Sequence, residues 1–500
     1  MGTYVVSAKS EQQAMAEEIG LTKAQEVFSQ IPEEVRYQGT WKYSKGLSEM
    51  ETSAYLRELA GKNQIFPHIF RGAGAYSHYI PAIVDSVVKK ETFVTSYTPY
   101  QAEISQGILQ SIFEYQTMIC ELTGMEVSNA SVYDGATAAA EAIAMCQERK
   151  RKRVLVSAAA DPKVIQVVET YGYGNGMKVE LIPEQEGRTD LEELRKRLGD
   201  DVACVYVQNP NYYGLLEECG EIGRLTKDKG TKYILGCNPI ALGWLKAPAE
   251  YGADIAVGEG QPLGIPLSFG GPYLGFMATT GKLMRKLPGR IVGETTDAQG
   301  RRAFVLTLQA REQHIRREKA SSNICSNQAL CALHAAVYLS VMGARGIESA
   351  ARHCAANAHY LCGRLEELGF RRKYPGTFFH EFVTVSPVKT ETVMKKLEEE
   401  GYLGGLPLSD REILWCATEK NTKEEMDQLT EIFKGGVPEM KLIFEKSVEG
   451  RGADILPQET ICQVNFDGQV RSCAPKLPQV SEQQVSRHYS ELSKKSIWGE

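Results

Sequence analysis

Residues 254 to 272, DIAVGEGQPLGIPLSFGGP, run a short apolar strand pattern into a loop rich in glycine and proline. At the end of a βαβ series, such a loop is where pyridoxal-phosphate enzymes often hold the lysine that attaches their cofactor. Here no lysine occurs between Lys246 and Lys282. The stretch has the surroundings of an attachment site without the attachment residue, so chemistry has to be sought in other segments.

Four segments carry suitable side chains. In TSYTPYQ (95–101), Tyr97 and Tyr100 flank Pro99 ahead of a helix, an arrangement that can present phenols to a ligand or simply pack a loop on the core. Asp134 and Gly135 open an alanine-rich helix at Ala136 and Thr137, where free N–H groups can hold a phosphate, although ordinary helix caps look the same. VQNPNYYG (207–214) follows a strand end, the sheet edge at which α/β proteins bind ligands. Asn209, Asn211 and Tyr212 there can line a pocket or form a plain turn. AREQHIRREKASSNICSNQ (310–328) is dense in cations around His314, which suits an acidic partner, a phosphate or a solvated helix face. GYGNG (172–176) lacks the spacing of a dinucleotide loop, and no nucleophile elbow, P-loop or HExxH is present.

The elements that position these segments alternate. Strands RVLVS (153–157), KVELI (178–182), ACVYVQ (203–208), KYILG and DIAVG are continuous apolar runs separated by helices, one begun by Asp161 and Pro162 and another near 217–229. That pattern predicts a parallel or mostly parallel sheet covered on both faces. A long helix precedes it, with Ile104, Ile108, Ile112, Tyr115, Ile119 and Leu122 on one side and Gly124 as terminator. From Ser322 the pattern becomes two long helices, 326–343 and 346–368, then strand, helix, strand and helix, a small α+β unit. The division expected is an arm over 1–90, a large α/β domain over 91–321, a small α+β domain over 322–438 and an extension over 439–500. In the first segment, Thr22 or Ser29 suits a helix cap and Pro32 a helix start.

The 57 basic and 63 acidic residues give a charge of −6 with no basic block, which argues against nucleic acid as a partner. The twelve cysteines are scattered, with no CxxC pair or neighbouring histidine cluster to suggest zinc or any other metal. Without an export signal they read as reduced thiols of a cytoplasmic protein, with Cys120, Cys146, Cys331 and Cys362 as small core residues. The most apolar run, 329–344, is interrupted by His334 and falls short of the roughly 20 residues of a membrane span, so a buried helix and no membrane are expected.

TSYTPYQAEISQG, NASVYDGATAAAEA, VQNPNYYG and REQHIRREKASSNICSNQAL, in that order, closely resemble the alpha chain of divided glycine decarboxylase, the P-protein family of the glycine cleavage system. The resemblance spans roughly residues 5 to 440. It implies a fold-type-I, aspartate-aminotransferase-like chain with a large, mostly parallel-sheet domain and a small α+β domain. It further implies a complex with a beta subunit, of the α2β2 type, that uses pyridoxal phosphate to release CO2 from glycine and pass the aminomethyl group to the lipoyl arm of the H protein. The beta chain supplies the attachment lysine. In this chain Gln261 and Pro262 occupy that neighbourhood, and the strand ending near Asn238 lacks the aspartate that would keep the pyridine nitrogen protonated. No catalytic residue is therefore expected in this chain and no intact cofactor site. Tyr97, Thr98, Tyr100 and Gln101, with Arg316, Ser322 and Asn323, are expected to reach the partner's cofactor. A scaffold that only stabilises or regulates the beta chain is the alternative. Beyond Met440 the sequence resembles the start of the beta subunit, which suggests a fused reading frame cut short.

Overall fold

In the computed structural model, the described residues are 8–37, 39–40, 46–94, 96, 99–320 and 322–436, with the two-residue strands Val464–Asn465 and Gln469–Val470. The tail's resemblance to a partner chain thus lies almost wholly outside them. Contacts divide the chain into two units, Met1–Ile65 and Phe66–Glu500. The first contains helices Lys9–Glu18 and Glu49–Ala60, the latter opened by a capping box in which Ser48 and Glu51 satisfy each other's free backbone donors. Thr22 bonds Glu26 instead of starting a regular helix, and Pro32 precedes the single 3₁₀ turn Glu33–Val35.

The second unit is built on a seven-stranded sheet. We label its strands β1 (Val127–Ser128), β2 (Arg153–Ser157), β3 (Lys178–Ile182), β4 (Val202–Asn209), β5 (Lys232–Cys237), β6 (Ile255–Glu259) and β7 (Gly275–Thr279). Their order across the sheet is β1-β7-β6-β5-β4-β2-β3. β7 is antiparallel to both neighbours, while the remaining pairs are parallel. The five apolar runs of the sequence are thus the five parallel strands; β2, β4, β5 and β6 are largely buried, as their Val, Ile and Leu content requires, whereas β3 at the sheet edge is partly exposed, with Ile182 buried. β4 shows how one strand serves two cores. Val205 and Val207 join the cluster on one face, and Cys204 and Tyr206 join the cluster on the other.

Helices α1 (Gln106–Thr123), α4 (Leu191–Arg197), α5 (Cys219–Asp228) and the N-terminal half of α6 (Ala329–Glu366) cover the first face. Gly124 ends α1 in the left-handed conformation at φ 71°, as the sequence leads one to expect, whereas Ile104 falls before the helix and is exposed. Helices α2 (Gly135–Met145) and α3 (Pro162–Asn175) cover the second face, α3 beginning with Asp161 as its cap, Oδ1 accepting from Lys163 N at 2.8 Å. α2 is rich in alanine because it lies close against β6 and β7. A Cβ on Gly135 would come within 2.7 Å of Glu259 N, and one on Gly275 within 2.2 Å of Asp134 O. The two long helices expected after Ser322 are joined end to end in α6, which breaks at Gly343 (φ 58°, ψ −177°). Cys331, Ala332, Leu333, Ala335 and Ala336 of its apolar run are buried.

The C-terminal part forms an antiparallel sheet ordered Arg371–Arg372, Glu381–Val385, Glu412–Cys416, Leu406–Pro407, with helices α7 (Thr390–Glu399) and α8 (Lys423–Gly436). Its core centres on Trp415, fully buried, with Nε1 donating to Thr384 Oγ1 at 2.9 Å. His68–Ile69 add parallel to Tyr402–Leu403, so the chain from Phe66 onward is already part of this body. Ten cysteines lie among the described residues and all are free thiols; Cys146, Cys331 and Cys362 are buried and Cys120 is half-buried.

Candidate functional site

The strand-to-loop segment 254–272 lies at the C-terminal edge of the sheet, where β5, β6 and the start of α2 meet. Gln261 is buried at 1% exposure and every polar atom of its side chain is used. Its Oε1 accepts from Tyr76 N at 2.9 Å, and its Nε2 donates to Tyr76 O at 2.9 Å and to Ile265 O at 2.7 Å. A side chain at the position where an attachment residue is expected is therefore spent on clamping the segment around Tyr76. Pro262 beside it has no amine to offer. Asn238, just past β5, accepts from Ile240 N at 2.9 Å and Ala241 N at 3.2 Å, so it caps the following 3₁₀ turn. Its Nδ2 is buried without a protein partner.

Glu259, the last residue of β6, was not anticipated. Its carboxylate accepts from Gly135 N at 2.9 Å, Gln261 N at 2.9 Å and Leu274 N at 3.0 Å. The first of these is a free donor at the start of α2, and Asp134 takes another by accepting from Thr137 N at 2.8 Å. Burial pushes the Glu259 carboxyl up to about 7 against the pull of the three N–H groups, with Asp134 adding repulsion. The helix start that the sequence offers as a phosphate cradle is thus filled by the protein's own carboxylate. The signal was present: an acid closing an otherwise apolar strand, DIAVGE.

The second region gathers Tyr100 and the cationic segment. The Tyr100 hydroxyl donates to Cys325 O at 3.4 Å, and the Arg290 guanidinium lies 4.5 Å above its ring. Burial raises the Tyr100 phenol pKa, and Arg290 opposes this. Arg290, itself 8% exposed, is paired with the buried Glu312, and the His314 ring is 3.5 Å from the same carboxylate. A cleft of about 370 Å³ opens here, lined by Arg290, Glu312, His314, Arg317, Ile324 and Cys325. Arg311 beneath it donates to Gly289 O at 2.6 Å, its pKa lowered to about 10 by burial and by Arg290. Tyr100 therefore packs against Arg290 and Cys325, two of the residues that line this cleft.

Of the other residues singled out from sequence, Gln101 is exposed, and its backbone carbonyl accepts from Ile104 N. Arg316 is exposed and turns back to Ala310 O at 3.1 Å. Ser322 Oγ accepts from Ile324 N at 3.1 Å, and Asn323 is exposed. Tyr97 and Thr98 lie outside the described residues. The VQNPNYYG turn is structural: Asn211 Nδ2 donates to Gly187 O at 2.8 Å and Glu217 Oε1 at 2.9 Å, while its Oδ1 accepts from Tyr213 N and Leu215 N. Asn209 Oδ1 accepts from Glu217 N at 2.9 Å. The side chain of Asn211 is thus fully spent on the protein, with both donors and its oxygen in use.

A third cluster is assembled only by the fold. Glu419 accepts from His78 Nδ1 at 2.7 Å, Tyr79 N at 2.6 Å and the Cys354 thiol at 3.2 Å. Burial opposes ionisation, but the bond and charge of His78, with the Tyr79 N–H and Cys354, hold the Glu419 carboxyl down at about 2. His, Cys and Glu side chains of the type that ligate metals thus come within 4.8 Å of one another, already closed by hydrogen bonds.

Comparison with known proteins places these features in context. Residues 2–433 match the family described as "Glycine cleavage system P-protein". A probable glycine dehydrogenase (decarboxylating) subunit 1 of Moorella thermoacetica is 48% identical over 441 residues, covering 87% of this chain and 99% of that protein. The crystal structure of a glycine decarboxylase (P-protein) of the glycine cleavage system, in inhibitor-bound form, superposes with a TM-score of 0.82 at 40% identity, over 86% of this chain and 99% of that one. An aspartate aminotransferase of Thermus thermophilus, 16% identical, has a TM-score of 0.52 over 76% of this chain and 100% of its own, a likeness of fold alone. The fold is that of the type-I pyridoxal-phosphate enzymes. The cofactor of those enzymes does not fit the matching edge of this chain: the lysine is absent, Asn238 caps a turn, and the Glu259 carboxylate holds the N–H group that a phosphate would need.

Proposed function

This chain belongs to the glycine cleavage system P-protein family, and on that premise we propose that it is the alpha subunit of a divided glycine decarboxylase, cytoplasmic and inactive without its beta subunit. The beta subunit holds the pyridoxal phosphate through its own lysine, and that cofactor supplies the electron sink needed when glycine loses CO2. The aminomethyl group then passes to the lipoylated H protein, in an α2β2 assembly.

The observation that carries this reading is the contrast between the two regions. The edge where a cofactor would attach is closed by Gln261, Pro262 and Glu259, while a cleft lined by Arg290 and Cys325, the two residues Tyr100 packs against, remains open. On this reading Tyr100 and Gln101, with Tyr97 and Thr98 just before them and Arg316, Ser322 and Asn323 nearby, face the partner's site. There the Tyr100 phenol can hold or pass a proton. Arg290 behind its ring favours an anionic group in front of it.

Exchange of labelled bicarbonate into glycine, with H protein and pyridoxal phosphate present, tests the proposal on this chain alone and with a beta subunit. Activity only in the pair is the expected result. Exchange by this chain alone would overturn it, because no amine stands at the β6 edge.

A further inference from the structure

A phosphate-bearing ligand at a helix start is held by free backbone N–H groups and by the positive end of the helix dipole. In this chain both already have an anion. Glu259 reaches from the end of β6 to Gly135 N, the first residue of the 11-residue helix α2, and closes on Gln261 N and Leu274 N from the following segments. Its Oε2 takes the α2 donor and its Oε1 the other two, so both carboxylate oxygens are occupied by backbone. We propose that Glu259 is a built-in substitute for a ligand phosphate and the residue that bars phosphorylated cofactors from this chain.

The geometry distinguishes this from an incidental cap. The ordinary cap of α2 is already present in Asp134, whose Oδ1 accepts from Thr137 N, so Glu259 is not required to finish the helix. It also comes from a different element, the strand that in this fold leads into the loop where the attachment lysine is missing. The backbone there is tight, since a Cβ on Gly135 would lie 2.7 Å from Glu259 N, and little room remains for a phosphate beside the carboxylate. Two carboxylates, Glu259 and Asp134, at one helix start would further repel a dianion. Losing the lysine alone would leave a cradle able to bind pyridoxal phosphate without a covalent bond. With the carboxylate in place the cradle is closed, and cofactor in an assembled enzyme is left to the partner.

The biological meaning rests on the proposed function, but the binding test needs only this chain, so the two fail separately. At about pH 8, where the Glu259 carboxyl that burial raises to about 7 is mostly ionised, the full chain is titrated with inorganic phosphate, followed by phosphorus NMR line broadening, and with pyridoxal phosphate, followed by its absorbance and by quenching of tryptophan fluorescence. Wild type is expected to show no saturable binding at millimolar ligand. Glu259→Ser, which removes charge and bulk, is expected to bind phosphate at least tenfold more tightly than wild type. Glu259→Gln keeps the shape and an acceptor oxygen, so it is expected to fold, and it should gain at least threefold from loss of the charge. Saturable binding by wild type overturns the proposal whatever the variants do. So does a folded Glu259→Ser with no gain, and if that variant does not fold, an unchanged Glu259→Gln overturns it equally.

Discussion

Replacing Glu381 with glutamine should make the stability of the chain less sensitive to pH. Glu381 is 3% exposed in the C-terminal sheet and accepts from Ala73 N at 2.7 Å and the Tyr76 hydroxyl at 2.8 Å. Burial raises its carboxyl from an ordinary 4.5 to about 7, against the pull of those two donors and with Asp161 adding repulsion. An acid whose pKa rises on folding binds its proton more tightly in the folded chain than in the unfolded one. Its contribution is therefore fully present below pH 4.5 and is lost as the pH rises through about 7. At about 1.4 kcal/mol per pH unit, the swing is on the order of 3 kcal/mol. Glutamine can satisfy both neighbours, with Oε1 accepting from Ala73 N and Nε2 donating to the Tyr76 oxygen, yet it has no proton to lose. Urea unfolding followed by circular dichroism should find Glu381→Gln within about 1 kcal/mol of wild type at pH 5 and more stable by roughly 2 to 3 kcal/mol at pH 8. Glu259 titrates in the same range but is present in both proteins and cancels in the difference. An equal difference at both pH values would refute the reasoning, because it would mean that Glu381 ionises in the folded chain as easily as in the unfolded one.

Glu419 works in the opposite direction: its pKa is lowered to about 2, so its contribution is present above 4.5 and is lost as the pH falls toward 2. Glu419→Gln should flatten the acid limb of the stability curve, and an unchanged limb would assign acid unfolding to other carboxylates. Gly214→Ala should destabilise by at least about 2 kcal/mol in denaturant titration, since φ is +82° there and the new Cβ would sit 1.9 Å from Glu381 O. Tyr100→Phe should leave the melting temperature nearly unchanged, because the hydroxyl's bond to Cys325 O is long at 3.4 Å. In the pair with a beta subunit, its bicarbonate exchange should fall by about tenfold or more, the value of a bond worth about 1.4 kcal/mol in the transition state. Unchanged exchange removes Tyr100 from the site.

The sequence by itself determined the parallel core of the large sheet, its flanking helices and the missing lysine. Strands β2, β4, β5 and β6 are continuous apolar runs because they lie inside the sheet with both faces covered, while β3 at the edge tolerates Lys178 and Glu180. Asp161 and Gly124 mark helix ends through their own side chain or their own freedom at positive φ, which are local properties. β1 and β7 were not legible. β1 is two residues long, and β7 follows the glycine- and proline-rich loop and runs against its neighbours. Only the tertiary structure decided what the polar residues do. Asn211 and Gln261 look like ligand-binding side chains until Gly187, Glu217 and Tyr76 arrive from elsewhere to use every donor and acceptor. The scattered cysteines gave no hint that Cys354 would meet His78 and Glu419. Glu259 and the Tyr100–Arg290 contact likewise depend on partners more than 100 residues away. Apolar pattern is read from neighbours in the chain, but whether a polar group is free depends on which distant atoms the fold brings within about 3 Å of it.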